Sequence, residues 1–131
     1  MSIYDTEVEG NEQYVLSAES FDGLRVVQRA IYVNAKEKGF HDVGRRFGDA
    51  VALILTELGE AFEAYRTHGM NAYFEETEYG AKPCGVGSEL ADVVIRCLDI
   101  AEEHRIDLAS VIEAKMAYNR KRPAMHGNKQ L

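Results

Sequence analysis

The sequence predicts an all-α fold, a bundle of about four main helices that is completed by oligomerisation. Three observations predict it. Apolar residues recur at intervals of three and four over long stretches, no segment alternates convincingly as a strand would, and 131 residues suffice for one core only. A four-helix chain of this size often needs a partner surface, so a homo-oligomer, dimer or tetramer, is expected.

The first helix is predicted from Phe21 to Lys38, where Phe21, Leu24, Val27, Ile31 and Ala35 keep the helical period and Gly39 supplies a C-cap. The second carries Phe47, Val51, Ile54, Leu55, Leu58, Phe62 and Tyr65 on one stripe and stops at Gly69. Between 69 and 87, the residues Gly69, Gly80, Pro83, Gly85 and Gly87 predict a loop without regular structure. Ser88 is the candidate N-cap of a third helix running to His104, with Leu90, Val94, Cys97, Leu98 and Ala101 on one face. Val93, Ile95 and Ile100 widen that arc, so this helix should be mostly enclosed except for a narrow polar strip. Asp107 is the cap of a fourth helix through Leu108, Val111, Ile112, Met116 and Tyr118, which Pro123 ends.

Residues 1–19 contain Asp5, Glu7, Glu9, Glu12 and Glu19 without a Lys or Arg and read as a solvated acidic arm; residues 20–131 form the one domain. A formal charge of −7 argues against nucleic acid as a partner. With no secretory leader pattern and no apolar run near about eighteen residues, neither a membrane partner nor secretion is expected, and the location should be cytoplasmic. Cys84 and Cys97 lack zinc-site spacing and read as free thiols.

Glu57 and Glu60 lie three apart on the second helix and therefore share a face. Their wheel neighbours Ala50, Leu53, Ala61 and Ala64 are small or apolar, so the pair is expected to turn toward protein. The third helix repeats the spacing with Glu89 and Asp92, on the strip that also holds Arg96, Asp99 and Glu103. One such pair alone is an ordinary solvated face. Two pairs on different helices, one beside small apolar residues, would repel one another unless a cation sits between them. Oxygen ligands without His or Cys select a hard ion, Mg²⁺ or its substitute Mn²⁺. On the fourth helix Lys115, Asn119 and Arg122 follow the line of Leu108, Val111 and Ile112 and are expected to face inward, where they would neutralise phosphate oxygens.

Glu57-x-x-Glu60 followed by Glu89-Leu-Ala-Asp92, with 28 residues between Glu60 and Glu89, resembles the paired signature of the MazG-like, all-α nucleoside triphosphate pyrophosphatases. The stretches Lys-Gly-Phe-His-Asp at 38–42, Thr-Glu-Leu-Gly-Glu-Ala at 56–61, Lys-Met-Ala-Tyr-Asn-Arg-Lys-Arg-Pro at 115–123 and His126-Gly-Asn-Lys129 extend the likeness over about residues 20–129. The resemblance implies a dimer or tetramer that hydrolyses an NTP or dNTP to the monophosphate and pyrophosphate, by metal-activated water attack at the α-phosphorus. It implies Mg²⁺ on Glu57, Glu60, Glu89 and Asp92, and triphosphate contacts from Lys115, Asn119 and Arg122. Thr56 stands where many relatives carry Glu, and His41 where related proteins often carry Trp.

Glu60, with Glu57 as the alternative, is the expected orienter or base for water, and Lys115 the cation completing the catalytic set. Phe40 and His41 are expected at the base pocket; Tyr73, Phe74 and Tyr79 are weaker candidates, and Lys129 and His126 would close over the phosphates from the tail. The rival reading is a non-catalytic regulatory or assembly module binding a structural cation. A di-iron bundle is disfavoured, because none of His41, His68, His104 and His126 has Glu three positions earlier.

Overall fold

The computed structural model describes residues 16–123, so most of the acidic arm, His126 and Lys129 lie outside the described residues. Helix α1 spans Ala18–Glu37, beginning three residues before the expected Phe21 because the Ser17 hydroxyl accepts from the Ser20 N–H and caps it. At its other end Phe40 N–H donates to the Ala35 carbonyl and Gly39 N–H to that of Lys36, the paired bonds of a Schellman turn. That turn needs a left-handed residue, and Gly39 has φ +81°.

Helix α2 spans Phe47–His68 and ends at Gly69, as the periodicity predicts. Its packed face is another matter. Ala50, Glu57 and Ala61 are buried, whereas Phe47, Val51, Leu55, Leu58, Phe62 and Tyr65 are all exposed. Positions 50, 57, 61 and 64 form one line along a helix. The three alanines of that line let the backbone approach its neighbour, leaving the apolar stripe uncovered in the single chain.

The predicted loop is a correction: it contains strands β1 (Tyr73–Thr77) and β2 (Gly80–Cys84), paired antiparallel with Thr77 opposite Gly80. The Thr77 hydroxyl donates to the Gly80 carbonyl and accepts from the Tyr79 N–H, closing the two-residue turn. Gly85 then leaves the sheet at φ +100°, and a Cβ there would stand 2.7 Å from the Asn71 carbonyl oxygen. Only glycine fits so close an approach.

Helix α3 spans Val86–Glu103 and starts at Gly85, not at the expected Ser88. The Ser88 hydroxyl donates instead to the Pro83 carbonyl, tying β2 to the first turn of α3. Helix α4 spans Leu108–Lys121, and Asp107 caps it by accepting from the Ser110 N–H, as expected.

Helix α3 is the central element, packed on both α1 and α2, while β2 rests on α3 and α4 on α1. Gln28 of α1 is buried and donates to both Glu102 and the Ile106 carbonyl, and Arg25 donates to Asp107 and Ser110. The expectation that α3 is mostly enclosed except for a narrow polar strip holds only toward its C-terminal end: Leu98, Ile100 and Ala101 are buried, but the apolar Leu90, Val94 and Ile95 are exposed. Among the described residues eight hydrophobic ones are buried, and four of these are alanines. The described residues are mostly helical with one small hairpin, and no helix among them is long and apolar enough to cross a membrane.

Candidate metal centre

Helix α2 carries Glu57 and Glu60 one turn apart, and the first turn of α3 carries Glu89 against them. One carboxylate oxygen from each lies within 4.8 Å of the others. Glu57 is buried, Glu89 half-buried and Glu60 exposed, so the cluster has a closed side and an open one. Oxygens around a magnesium ion at about 2.1 Å stand roughly 3–4 Å apart, so a modest contraction would let all three bind. Burial raises the Glu89 carboxyl above its ordinary value, and the charges of Glu60, Asp92 and Glu57 raise it further. Asp92 is raised by burial and then by Glu57. The carboxylates thus carry negative charge that the protein only partly offsets, and an all-oxygen donor set suits a hard divalent ion.

Asp92, expected as the fourth ligand, is not in the group of three; it stands a turn further along α3, where Glu57 still acts on it. Sequence reasoning placed Arg96 on the polar strip but missed its partner. Its Nε donates to Glu57 Oε1 at 2.6 Å, so one carboxylate of the cluster is shared with a guanidinium.

Beyond Asp92 and Arg96 a cleft of about 310 Å³ opens between α1, the segment after it, and α3. Ile31, Phe40 and Ile95 give it apolar walls, and Asn34 an amide. This is within the size of small-molecule pockets, and its lining includes Arg96, the partner of Glu57, and Asp92, one turn along α3 from Glu89. Asn34 carried no motif and went unnoticed in the sequence; Phe40 was expected there.

Three expectations change. His41 was expected beside Phe40 as a base-pocket residue, but its ring is buried, bonded through Nε2 to Asp99 at 2.8 Å and through Nδ1 to Glu103 at 3.2 Å. Arg45 donates to the same two carboxylates, making a four-residue link between the α1–α2 connection and α3. Asp99, read as part of a polar strip, is buried inside this link. Lys115, Asn119 and Arg122 do not face inward in the single chain. All three are exposed, because α4 packs on α1, and Lys115 and Arg122 instead flank the Tyr118 ring, each 5.9 Å from its centroid. The Tyr73 ring meets that of His68 at a tilt of 49°, centroids 4.6 Å apart, while Phe74 and Tyr79 are exposed on the hairpin.

Fold and site together define a small helical domain presenting three converging carboxylates beside a partly apolar cleft. No known protein family, curated protein or solved structure matches the chain.

Proposed function

We propose that the protein is a magnesium-dependent nucleoside triphosphate pyrophosphohydrolase, converting an NTP or dNTP to its monophosphate and pyrophosphate. The observation that carries this reading is the approach of Glu57, Glu60 and Glu89 to within 4.8 Å from two helices. The resemblance of Glu57-x-x-Glu60 and Glu89-x-x-Asp92 to the MazG-like signature supports it.

Glu57, Glu60 and Glu89 would hold Mg²⁺, or Mn²⁺ in its place, with Asp92 beside them. When bound, the ion supplies charge for the phosphate oxygens and lowers the pKa of water. Glu60, the exposed member, orients the attacking water toward the α-phosphorus and accepts its proton. Arg96 fixes the carboxylate of Glu57. The cleft takes the nucleoside: Phe40 offers a stacking face, and the Asn34 amide offers both a donor and an acceptor to a base edge.

The exposed stripe of α2 is the surface a second copy would cover, giving a homo-oligomer. Lys115, Asn119 and Arg122 serve the site only if that assembly brings one subunit's α4 to another's cluster. A nucleotide substrate is in keeping with a cytoplasmic location. The Arg96–Glu57 ion pair favours one rival, a non-catalytic module whose carboxylates are already partly neutralised. A screen of NTPs and dNTPs with Mg²⁺, scored for pyrophosphate, separates the two. Glu60→Gln should lower turnover about 10²-fold, and a loss of less than about threefold would overturn the role of Glu60. Absence of pyrophosphate from every nucleotide would overturn the reaction.

A further inference from the structure

We infer that Lys82, on the second strand of the hairpin, binds the pyrophosphate portion of the substrate over the carboxylate cluster. This rests on the reaction proposed above. Side chains alternate across a strand, and the register pairs Tyr73 with Cys84 and Glu75 with Lys82. Tyr73, Glu75, Lys82 and Cys84 therefore share one face of the hairpin. Cys84 is buried and Tyr73 is half-buried against His68 of α2, so this is the face turned to the helices. Phe74, Glu76, Ala81 and Pro83, on the other face, are all exposed.

Two contacts fix where that face lies. The Ser88 hydroxyl holds the Pro83 carbonyl at 2.9 Å, next in the chain to Lys82, and Ser88 directly precedes Glu89. The close approach of Gly85 to Asn71 anchors the other side of the same corner. The hairpin is thereby pinned to the turn of α3 from which Glu89 projects. In keeping with this placement, the Lys82 charge acts on Glu89, Asp92 and Tyr73 alike.

Several other cations among the described residues are engaged elsewhere. Arg96 is committed to Glu57, Arg45 to Asp99 and Glu103, and the α4 cations lie on the helix that packs against α1. Among the described residues Lys82 makes no ion pair, and its long exposed side chain is free to accept an anion. In the hydrolysis the water oxygen bonds to the α-phosphorus and the bond from that phosphorus to the α,β-bridging oxygen breaks. The electron pair leaves on pyrophosphate, where the ammonium of Lys82 offsets the charge that develops.

Calorimetric titration of the full chain with Mg²⁺ alone, and then with magnesium pyrophosphate, tests this in the parent, Lys82→Met and Lys82→Arg. Removing a charged hydrogen bond to phosphate should weaken pyrophosphate binding about tenfold in Lys82→Met, while Lys82→Arg stays within about threefold. Mg²⁺ alone should bind Lys82→Met as tightly as the parent or more so, because a repelling charge is gone. The opposite signs distinguish an anion contact from damage to the fold. Pyrophosphate affinity in Lys82→Met within about twofold of the parent, or loss of Mg²⁺ along with pyrophosphate, would overturn the inference. A parent that binds magnesium pyrophosphate yet releases none from any triphosphate overturns the reaction instead, and leaves the Lys82 contact to stand on the titration.

Discussion

Arg96 reaches across from α3 to donate to Glu57 Oε1 at 2.6 Å, so a guanidinium holds the most buried carboxylate of the candidate metal centre. The pair balances part of the charge that Glu57, Glu60 and Glu89 bring together. Arg96→Met should therefore leave the cluster more repulsive. Without a divalent ion the variant should lose about 1–2 kcal/mol of stability, less than a fully buried pair because the Arg96 side chain is 32% exposed. Saturating Mg²⁺ should recover most of the loss. Urea melts with and without Mg²⁺ check this, and an equal response to Mg²⁺ in parent and variant would contradict it.

Asp99 accepts from His41 Nε2 at 2.8 Å and from Arg45 Nη2 at 3.0 Å, deep under the connection between α1 and α2. The Arg45 Nε already lacks a partner among the described residues. Asp99→Ala strands His41 Nε2 and leaves Arg45 Nη2 with Glu103 alone, and should cost about 3 kcal/mol in a denaturant melt. A cost below about 1 kcal/mol would mean that the link does not anchor the wall of the cleft.

Hydrogen bonds from Arg25, and then from Ser110, hold the Asp107 carboxyl at about 2. Its folded value is depressed, so the stabilisation is fully present above the unfolded value of about 3.9 and is lost as pH falls through about 2. The carboxyl carbon of Asp107, followed by NMR, should titrate near the lower value. Asp107→Asn should flatten this part of the acid dependence of stability. A midpoint near about 4 would remove Arg25 and Ser110 as the partners that order the start of α4.

Seven large apolar side chains of α2, from Phe47 to Tyr65, are exposed in the single chain. Light scattering coupled to gel filtration should give at least twice the 14.7 kDa chain mass for the parent. Leu55→Glu with Phe62→Glu should give a monomer. A parent that runs as a monomer at micromolar concentration would contradict the assignment of this face.

The four helices were legible because their periodicity is long and their ends carry recognisable residues: Gly39 and Gly69 close two of them, and Asp107 opens the last. The hairpin was not. Its turn is Glu78-Tyr79, without the Asn-Gly or Asp-Gly that marks a two-residue loop, and the surrounding glycines and proline masked the strand formers Tyr73, Phe74 and Thr77. Facing was harder than helix content. An apolar stripe looks the same whether it meets its own chain or another, so although the alanines beside Glu57 pointed that face toward protein, the periodicity of α2 gave no sign that the large apolar stripe would stay uncovered. The convergence of Glu57, Glu60 and Glu89 was readable from spacing and neighbours. The place of Lys82 was not, because it follows from a sheet register that no helical wheel contains.

The most direct measurement is a titration of Mn²⁺, followed by its electron paramagnetic resonance, into the parent and into the Glu57→Gln, Glu60→Gln, Glu89→Gln triple variant, with Mg²⁺ as competitor. The account predicts binding by the folded parent, displacement by Mg²⁺, and loss of binding in an equally folded triple variant. Binding that is absent in the parent, or undiminished in the variant, would contradict it.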